Sequence, residues 1–236
     1  MDALILNSGL DREAFRLIYR QRSRVHIRGF LDATCADLLF DQLCQTVAWT
    51  LTCVTDQRVT QVSPEARRTL PPEEELRLAH MSYRNARQNF GFLYEKHKLP
   101  DAVPFAANDP LCAFVRFINS GEFGDFIRDV TDVRVIGAVS AQATRYRTGD
   151  FLTFHTDQDP ERRIAYVMNL TPVWRPDWGG NLEFRGTDGN IEEAFVPCFN
   201  ALNLFSVPQP HSVSCVAPFA GAERYSVSGW IHTPAE

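Results

Sequence analysis

Phe151-Leu-Thr-Phe-His-Thr-Asp157 is the stretch on which the reading of this chain turns. A short apolar run ending in His-x-Asp fits a β-strand, whose period of two puts His155 and Asp157 on one face. A second histidine, His211, follows Asp157 after 54 residues, just past the β-rich run Ala201-Leu-Asn-Leu-Phe-Ser-Val207. Thirteen residues further on, Arg224-Tyr-Ser226 sets an arginine and a serine two apart, hence on one face of another strand. Taken singly these residues are ordinary. A histidine on a strand is more often packed or solvated than a ligand, and an arginine is by default a solvated charge. Order and spacing give them a joint meaning. Two imidazoles and one carboxylate on one side of a divalent cation leave its other positions open, the arrangement of non-haem Fe(II) oxygenases. The planar fork of an arginine then offers two parallel donors to a carboxylate.

Outward from this stretch, the chain after Thr131 reads as short strands. They are expected at Val133–Arg147, Arg163–Leu170, Asn181–Arg185, Ile191–Val196, Ala201–Val207, His211–Val216 and Tyr225–Ile231. Asp188-Gly189 between two of them signals a hairpin turn. Many short strands with turns between them suit a jelly roll better than βαβ units. The first half reads as mixed. Asp11–Arg22 has helical spacing, and Asp32 caps a helix whose apolar face is Ala36, Leu39, Phe40, Leu43 and Val47. Leu51–Val62 reads as one strand-like piece. Pro71-Pro72-Glu-Glu-Glu75 opens an amphipathic helix expected to run to about His97. Helices follow at Asp109–Asn119 and Glu122–Val130, with loops at Pro100–Asp109 and Trp174–Gly180. Phe90-Gly-Phe-Leu-Tyr94 is an aromatic stripe that reads as core before it reads as a substrate mouth. The expectation is therefore a mostly β fold with α additions, a single domain over 1–236. Residues 1–131 form a helix-rich support, and 132–236 the jelly-roll core.

The chain has 236 residues, 44% hydrophobic and 22% charged, with a net charge of −5. Those values are ordinary for a globular protein, and the negative sign argues against nucleic acid as the main ligand. The six cysteines form no Cys-x-x-Cys pair, which argues against a zinc finger or a redox dithiol. Met1-Asp-Ala-Leu-Ile-Leu6 lacks the basic lead and length of a signal peptide, and no apolar run approaches membrane-spanning length. A cytoplasmic location is expected, with reduced thiols.

The stretch from about Val133 to His232 resembles the 2-oxoglutarate- and Fe(II)-dependent oxygenases, in particular their prolyl-hydroxylase-like branch. The resemblance rests on Tyr146, His155, Asp157, the strand end Asn169-Leu-Thr-Pro172, Trp178-Gly-Gly180, Pro210-His211 and Arg224-Tyr-Ser-Val-Ser-Gly-Trp230. It implies a double-stranded β-helix with iron at its open end. Carried over residue by residue, it makes His155, Asp157 and His211 the iron ligands and Arg224 the partner of the far carboxylate of 2-oxoglutarate. Tyr146 and Ser226 become secondary contacts to that co-substrate, and Trp230 an aromatic near the substrate. It implies Fe(II), 2-oxoglutarate and O2 as cofactor and co-substrates, with ascorbate admitted as an accessory. One departure is Val167, where some prolyl hydroxylases carry a tyrosine aimed at the co-substrate.

On this resemblance the expected reaction is hydroxylation of a C–H bond, with a prolyl residue in a protein or peptide as substrate and succinate and CO2 released. The alternative is a free amino acid or small metabolite. Nucleic-acid demethylation ranks below both: demethylases of that kind typically carry a second arginine six residues after the first, and here that position is Trp230. A zinc hydrolase would have no task for Arg224, and a non-catalytic jelly-roll module would release no succinate. Oligomeric state is left open.

Overall fold

The computed structural model describes residues 4–101 and 109–233. In chain order the elements are α1 (Arg12–Arg22), β1 (Arg24–Arg28), α2 (Ala33–Gln45), β2 (Thr50–Thr55), β3 (Arg58–Val62), α3 (Pro64–Arg68), α4 (Pro72–Ala86) and β4 (Phe92–Lys98). Then come α5 (Pro110–Ile118), α6 (Gly121–Thr131), β5 (Gln142–Tyr146), β6 (Phe151–His155), β7 (Arg162–Asn169) and β8 (Leu182–Arg185). The last four are β9 (Ile191–Phe195), β10 (Ala201–Ser206), β11 (His211–Val213) and β12 (Arg224–His232). Helix starts follow local capping chemistry. The side chains of Asp11, Asp32, Asp109 and Ser120 accept the orphan backbone N–H groups of α1, α2, α5 and α6.

All strands described pair antiparallel into one nearly closed barrel, in the order β1-β10-β7-β12-β5-β4-β6-β11-β8-β9, with β2 and β3 attached beside β4. Period-two alternation divides each central strand between two environments. Outward, Ile27, Leu202, Leu204, Met168, Val227 and Ile231 pack against α2, α5 and α6 in the largest apolar core. Inward, Ala165 and Phe205 meet Leu182 and Phe184, with Trp230 against them. This is the jelly roll braced by helices that the alternation in the second half implies.

The structure departs from the expected elements in three places. Leu51–Val62 is a hairpin, turned by Asp56 and Gln57 at φ 49° and 62°. Two successive left-handed residues make the tight turn that hairpins favour, but neither is glycine or asparagine, so the usual turn signal is missing. The helix opened by Pro72 stops at Ala86, not near His97, and Phe92–Lys98 is a strand. Gly91 marks the break: a Cβ there would lie 3.1 Å from that of Ala86. In the third place, the strand expected from Val133 begins only at Gln142. The short α3 carries too little periodicity to be read beforehand. Most of the loop expected at Pro100–Asp109 lies outside the described residues.

Glu95 on β4 is fully buried, its carboxylate engaged by Arg67 of α3, Arg145 of β5 and Arg147, the last at 3.0 Å. A buried anion is tolerated only with such partners. The cluster joins α3, β4 and the turn after β5.

That turn also buries Asp150, whose Oδ2 accepts the Arg147 backbone N–H at 2.8 Å. Burial pushes its carboxyl up to about 7. A folded value above the unfolded one means that the fold favours the protonated acid. Stability is then undiminished below the unfolded pKa near 4 and declines as pH rises towards 7. Asp150→Asn keeps an acceptor without the charge. It is expected to match the parent at pH 4 and exceed it at pH 8, by at most about 4 kcal/mol for roughly three units. Urea unfolding at the two pH values is the check, and a variant less stable at pH 8 would contradict the argument.

Candidate active site

β6 and β11 lie side by side, with His155 directly opposite His211. Their ring centroids are 4.1 Å apart. Asp157 joins them by a different route from the one expected. The strand stops at His155, and Asp157 sits beyond it at a left-handed φ of 54°. A turn, and not strand alternation, therefore swings the carboxylate back towards the imidazoles. Asp157 Oδ1 is 3.4 Å from His155 Nε2, and Oδ2 is 3.5 Å from His211 Nε2. One ligand atom from each of the three lies within 4.8 Å of the others.

The far side of each imidazole fixes its chemistry. His155 Nδ1 donates to the Thr153 carbonyl at 3.0 Å, and His211 Nδ1 to the Gln209 carbonyl at 2.8 Å. A carbonyl only accepts, so Nδ1 carries the hydrogen and the Nε2 lone pair is turned towards the carboxylate. Burial, followed by the neighbouring His155, lowers His211 to about 4 and keeps it neutral. Burial alone would raise Asp157, but the groups around its carboxylate, the Trp230 N–H among them, outweigh it, so its pKa is lowered. Two imidazole lone pairs and a carboxylate converge on one point. Such a donor set fits a divalent cation.

Across the cavity stands Arg224 on β12, 2% exposed. No carboxylate among the described residues lies within 4.0 Å of it. Its terminal nitrogens donate to Ser226 Oγ at 3.3 Å and Asn169 Oδ1 at 3.4 Å, and Nε has no partner. Its guanidinium carbon lies 5.1 Å from the ring centroid of Tyr146. Burial depresses its pKa without removing its charge. A buried cation without a counter-ion is costly, and this one waits for an anion. Gly180 makes the space: at φ 63°, a Cβ there would lie 3.1 Å from Arg224 Cδ.

Between the two groups is a cavity of about 210 Å³, whose walls include Leu152, Val167, Leu182 and Val213. The structure thus brings all seven sequence-expected residues to one cavity: His155, Asp157 and His211 at one end, Arg224, Tyr146 and Ser226 at the other. Trp230 meets the first group, its Nε1 donating to Asp157 Oδ2 at 2.9 Å. Phe90, Phe92 and Tyr94 also line the cavity, which favours the substrate mouth over the core expected for the stripe. Tyr94 stacks on Tyr146 at 5.1 Å, and burial pushes its hydroxyl up to about 12. The stripe read as core is therefore cavity wall. Its period of two, Phe90-x-Phe92-x-Tyr94, was the available signal for a strand. Arg162, five residues after Asp157, lines the cavity as well.

The profile of the 2OG-Fe(II) oxygenase superfamily matches residues 141–232, the segment that carries every one of the seven residues. The match is to that segment, which is less than half of the chain. A member of that superfamily would use Fe(II) and 2-oxoglutarate, and the His-Asp-His donor set here fits iron. Among curated relatives, the prolyl 3-hydroxylase OGFOD1 of Xenopus laevis is 33% identical over 125 residues, covering 50% of this chain and 24% of its own. The chain thus matches about a quarter of that relative's length. Among solved structures, a Pseudomonas putida prolyl-4-hydroxylase superposes with a TM-score of 0.61 at 18% identity, over 98% of both chains. A Trichoplax adhaerens prolyl hydroxylase, solved with a hypoxia-inducible-factor oxygen degradation domain peptide, gives 0.62 at 16% identity, over 94% of this chain and 89% of that one. These likenesses establish the fold along nearly the whole length of the chain. Among the described residues no helix is long and apolar enough to cross a membrane.

Proposed function

We propose that this chain is an Fe(II)- and 2-oxoglutarate-dependent dioxygenase that hydroxylates a prolyl residue of a protein or peptide, releasing succinate and CO2. The observation that carries the proposal is Arg224, a buried cation with no counter-ion among the described residues, facing a three-donor cluster across one cavity. A dicarboxylate fits that pairing, one end at the cluster and the other on the guanidinium.

His155, Asp157 and His211 would hold iron, which when bound supplies the activation of O2 and the oxidising equivalent for C–H cleavage. Arg224 binds the far carboxylate of 2-oxoglutarate through its fork, and Ser226 and Thr144, 2.8 Å apart, orient it. Tyr146 and Tyr94 close the deep end against water as neutral rings. Val167, Leu182 and Val213 keep the walls dry, which strengthens the charge pairing. The mouth, with Phe90, Phe92 and Trp230, receives the prolyl ring. We further propose that residues 1–236 act as one domain. All six cysteines are unpaired, which suits a cytoplasmic enzyme, with ascorbate keeping the metal reduced.

The test is anaerobic loading with Fe(II) and 2-oxoglutarate, followed by O2 in the presence of proline-containing peptides. Succinate release coupled to a mass gain of one oxygen on proline is expected. Oxygen gained only by a free amino acid or metabolite would replace the peptide reading, and no succinate under any condition would refute the dioxygenase.

A further inference from the structure

The Asp157 carboxylate is restrained from three directions. Its backbone is left-handed, a conformation that a non-glycine residue holds only with support from its surroundings. The Trp230 indole N–H donates to Oδ2 at 2.9 Å, and Arg162 Nη1 lies 3.5 Å from Oδ1. Arg162 in turn covers the Trp230 ring, its guanidinium carbon 3.9 Å from the centroid, and its Nε is 3.4 Å from Asp159 Oδ2. That is close enough for a cation–π contact, which fixes the plane of the indole.

Resting on the iron-site reading above, we infer that Trp230 is a positioning residue for Asp157: its N–H occupies Oδ2 and confines the carboxylate to one-point contact with the metal through Oδ1. The consequence follows from counting positions on an octahedral cation. His155, His211 and one carboxylate oxygen take three, which leaves two for a chelating 2-oxoglutarate and one for O2. A carboxylate that chelates through both oxygens would take a fourth and leave one co-substrate without a place. A donor fixed on Oδ2 opposes that outcome. The indole is suited to the task because it donates, never accepts and does not titrate. It also reaches Asp157 from β12, the strand that carries Arg224, so one strand sets both ends of the cavity. With one ring face under Arg162, only the rest of the indole is left to meet a substrate.

Trp230→Phe keeps a ring beneath Arg162 and deletes only the donor; Trp230→His restores a ring N–H. Mn(II) binding is measured without O2 or 2-oxoglutarate, together with the visible spectrum of the Co(II)-loaded protein, which reports coordination number. Trp230→Phe is expected to bind Mn(II) about tenfold more weakly, with an altered Co(II) spectrum and the far-UV circular dichroism of the folded parent. Trp230→His is expected to recover part of the loss. Unchanged Mn(II) affinity and Co(II) spectrum in Trp230→Phe would overturn the inference and make Trp230 a wall of the mouth. A second measurement needs no variant: in the 15N-labelled parent, the Trp230 indole N–H resonance should be protected from solvent exchange and move when Zn(II) is added. A resonance that does neither would overturn the inference too. A parent that binds none of these metals would refute the iron site itself, a result distinct from the others.

Discussion

Asp157→Ala is expected to leave the protein folded but unable to hold its metal, with succinate formation reduced well beyond the 10–100-fold that loss of an outer-shell partner costs. Asp157 is the only anion among the three converging donors. Without it, two neutral imidazoles face a divalent cation with no charge balance, and the turn at φ 54° loses the contacts to Trp230 and Arg162. Mn(II) titration and succinate release check both halves, with circular dichroism as the control for folding. Turnover near that of the parent with metal still bound would remove Asp157 from the site.

Arg224 gives a second large effect, of opposite sign in stability and function. Replacing it with methionine removes a buried cation that has no counter-ion among the described residues. The metal-free and ligand-free protein should therefore gain stability, by ~2 kcal/mol, as expected when an uncompensated buried charge gives way to an apolar chain. Binding of 2-oxoglutarate should be lost in the same variant. The Mn(II)-loaded parent should be stabilised by 2-oxoglutarate, by about 2.7 kcal/mol at a hundredfold excess over Kd, and the variant not at all. The order of melting temperatures then reverses on adding ligand. Arg224→Lys, a point charge in place of a fork, should weaken the co-substrate by about tenfold to a hundredfold, or 1–3 kcal/mol. A methionine variant that still responds to 2-oxoglutarate would mean that another group holds the carboxylate.

The second half of the chain was legible because its strands have one face in a core and the other in a cavity, so the alternation survives in the residues themselves. Arg224, Ser226 and Trp230 stand two and four apart on β12, and their common face is the cavity. The first half hid its strands for physical reasons. β4 buries Glu95 on the face opposite Phe92 and Tyr94, where a charge reads as solvent-facing until Arg67, Arg145 and Arg147 are found around it. Those partners come from 28 residues before it and 50 and 52 after it, beyond any local pattern. The β2–β3 turn was masked by residues that rarely take a left-handed conformation. Asp157 was placed correctly for an incomplete reason: period two implied the right neighbours, while the actual device is a turn held by Trp230, 73 residues away.

β4 has a consequence for how the protein can be made and cut. It is the seam between β5 and β6, and β1 covers the flank of β10. Both belong to the part of the chain outside the matched profile. A fragment trimmed to residues 141–232 would present raw strand edges at β5, β6 and β10, an invitation to edge-to-edge aggregation. Phe92 must wait for Leu152, and Arg24 for Phe205, before either edge is closed. Contacts so distant along the chain make closure a late and slow event, so during synthesis the nascent barrel stays open until its final third has left the ribosome.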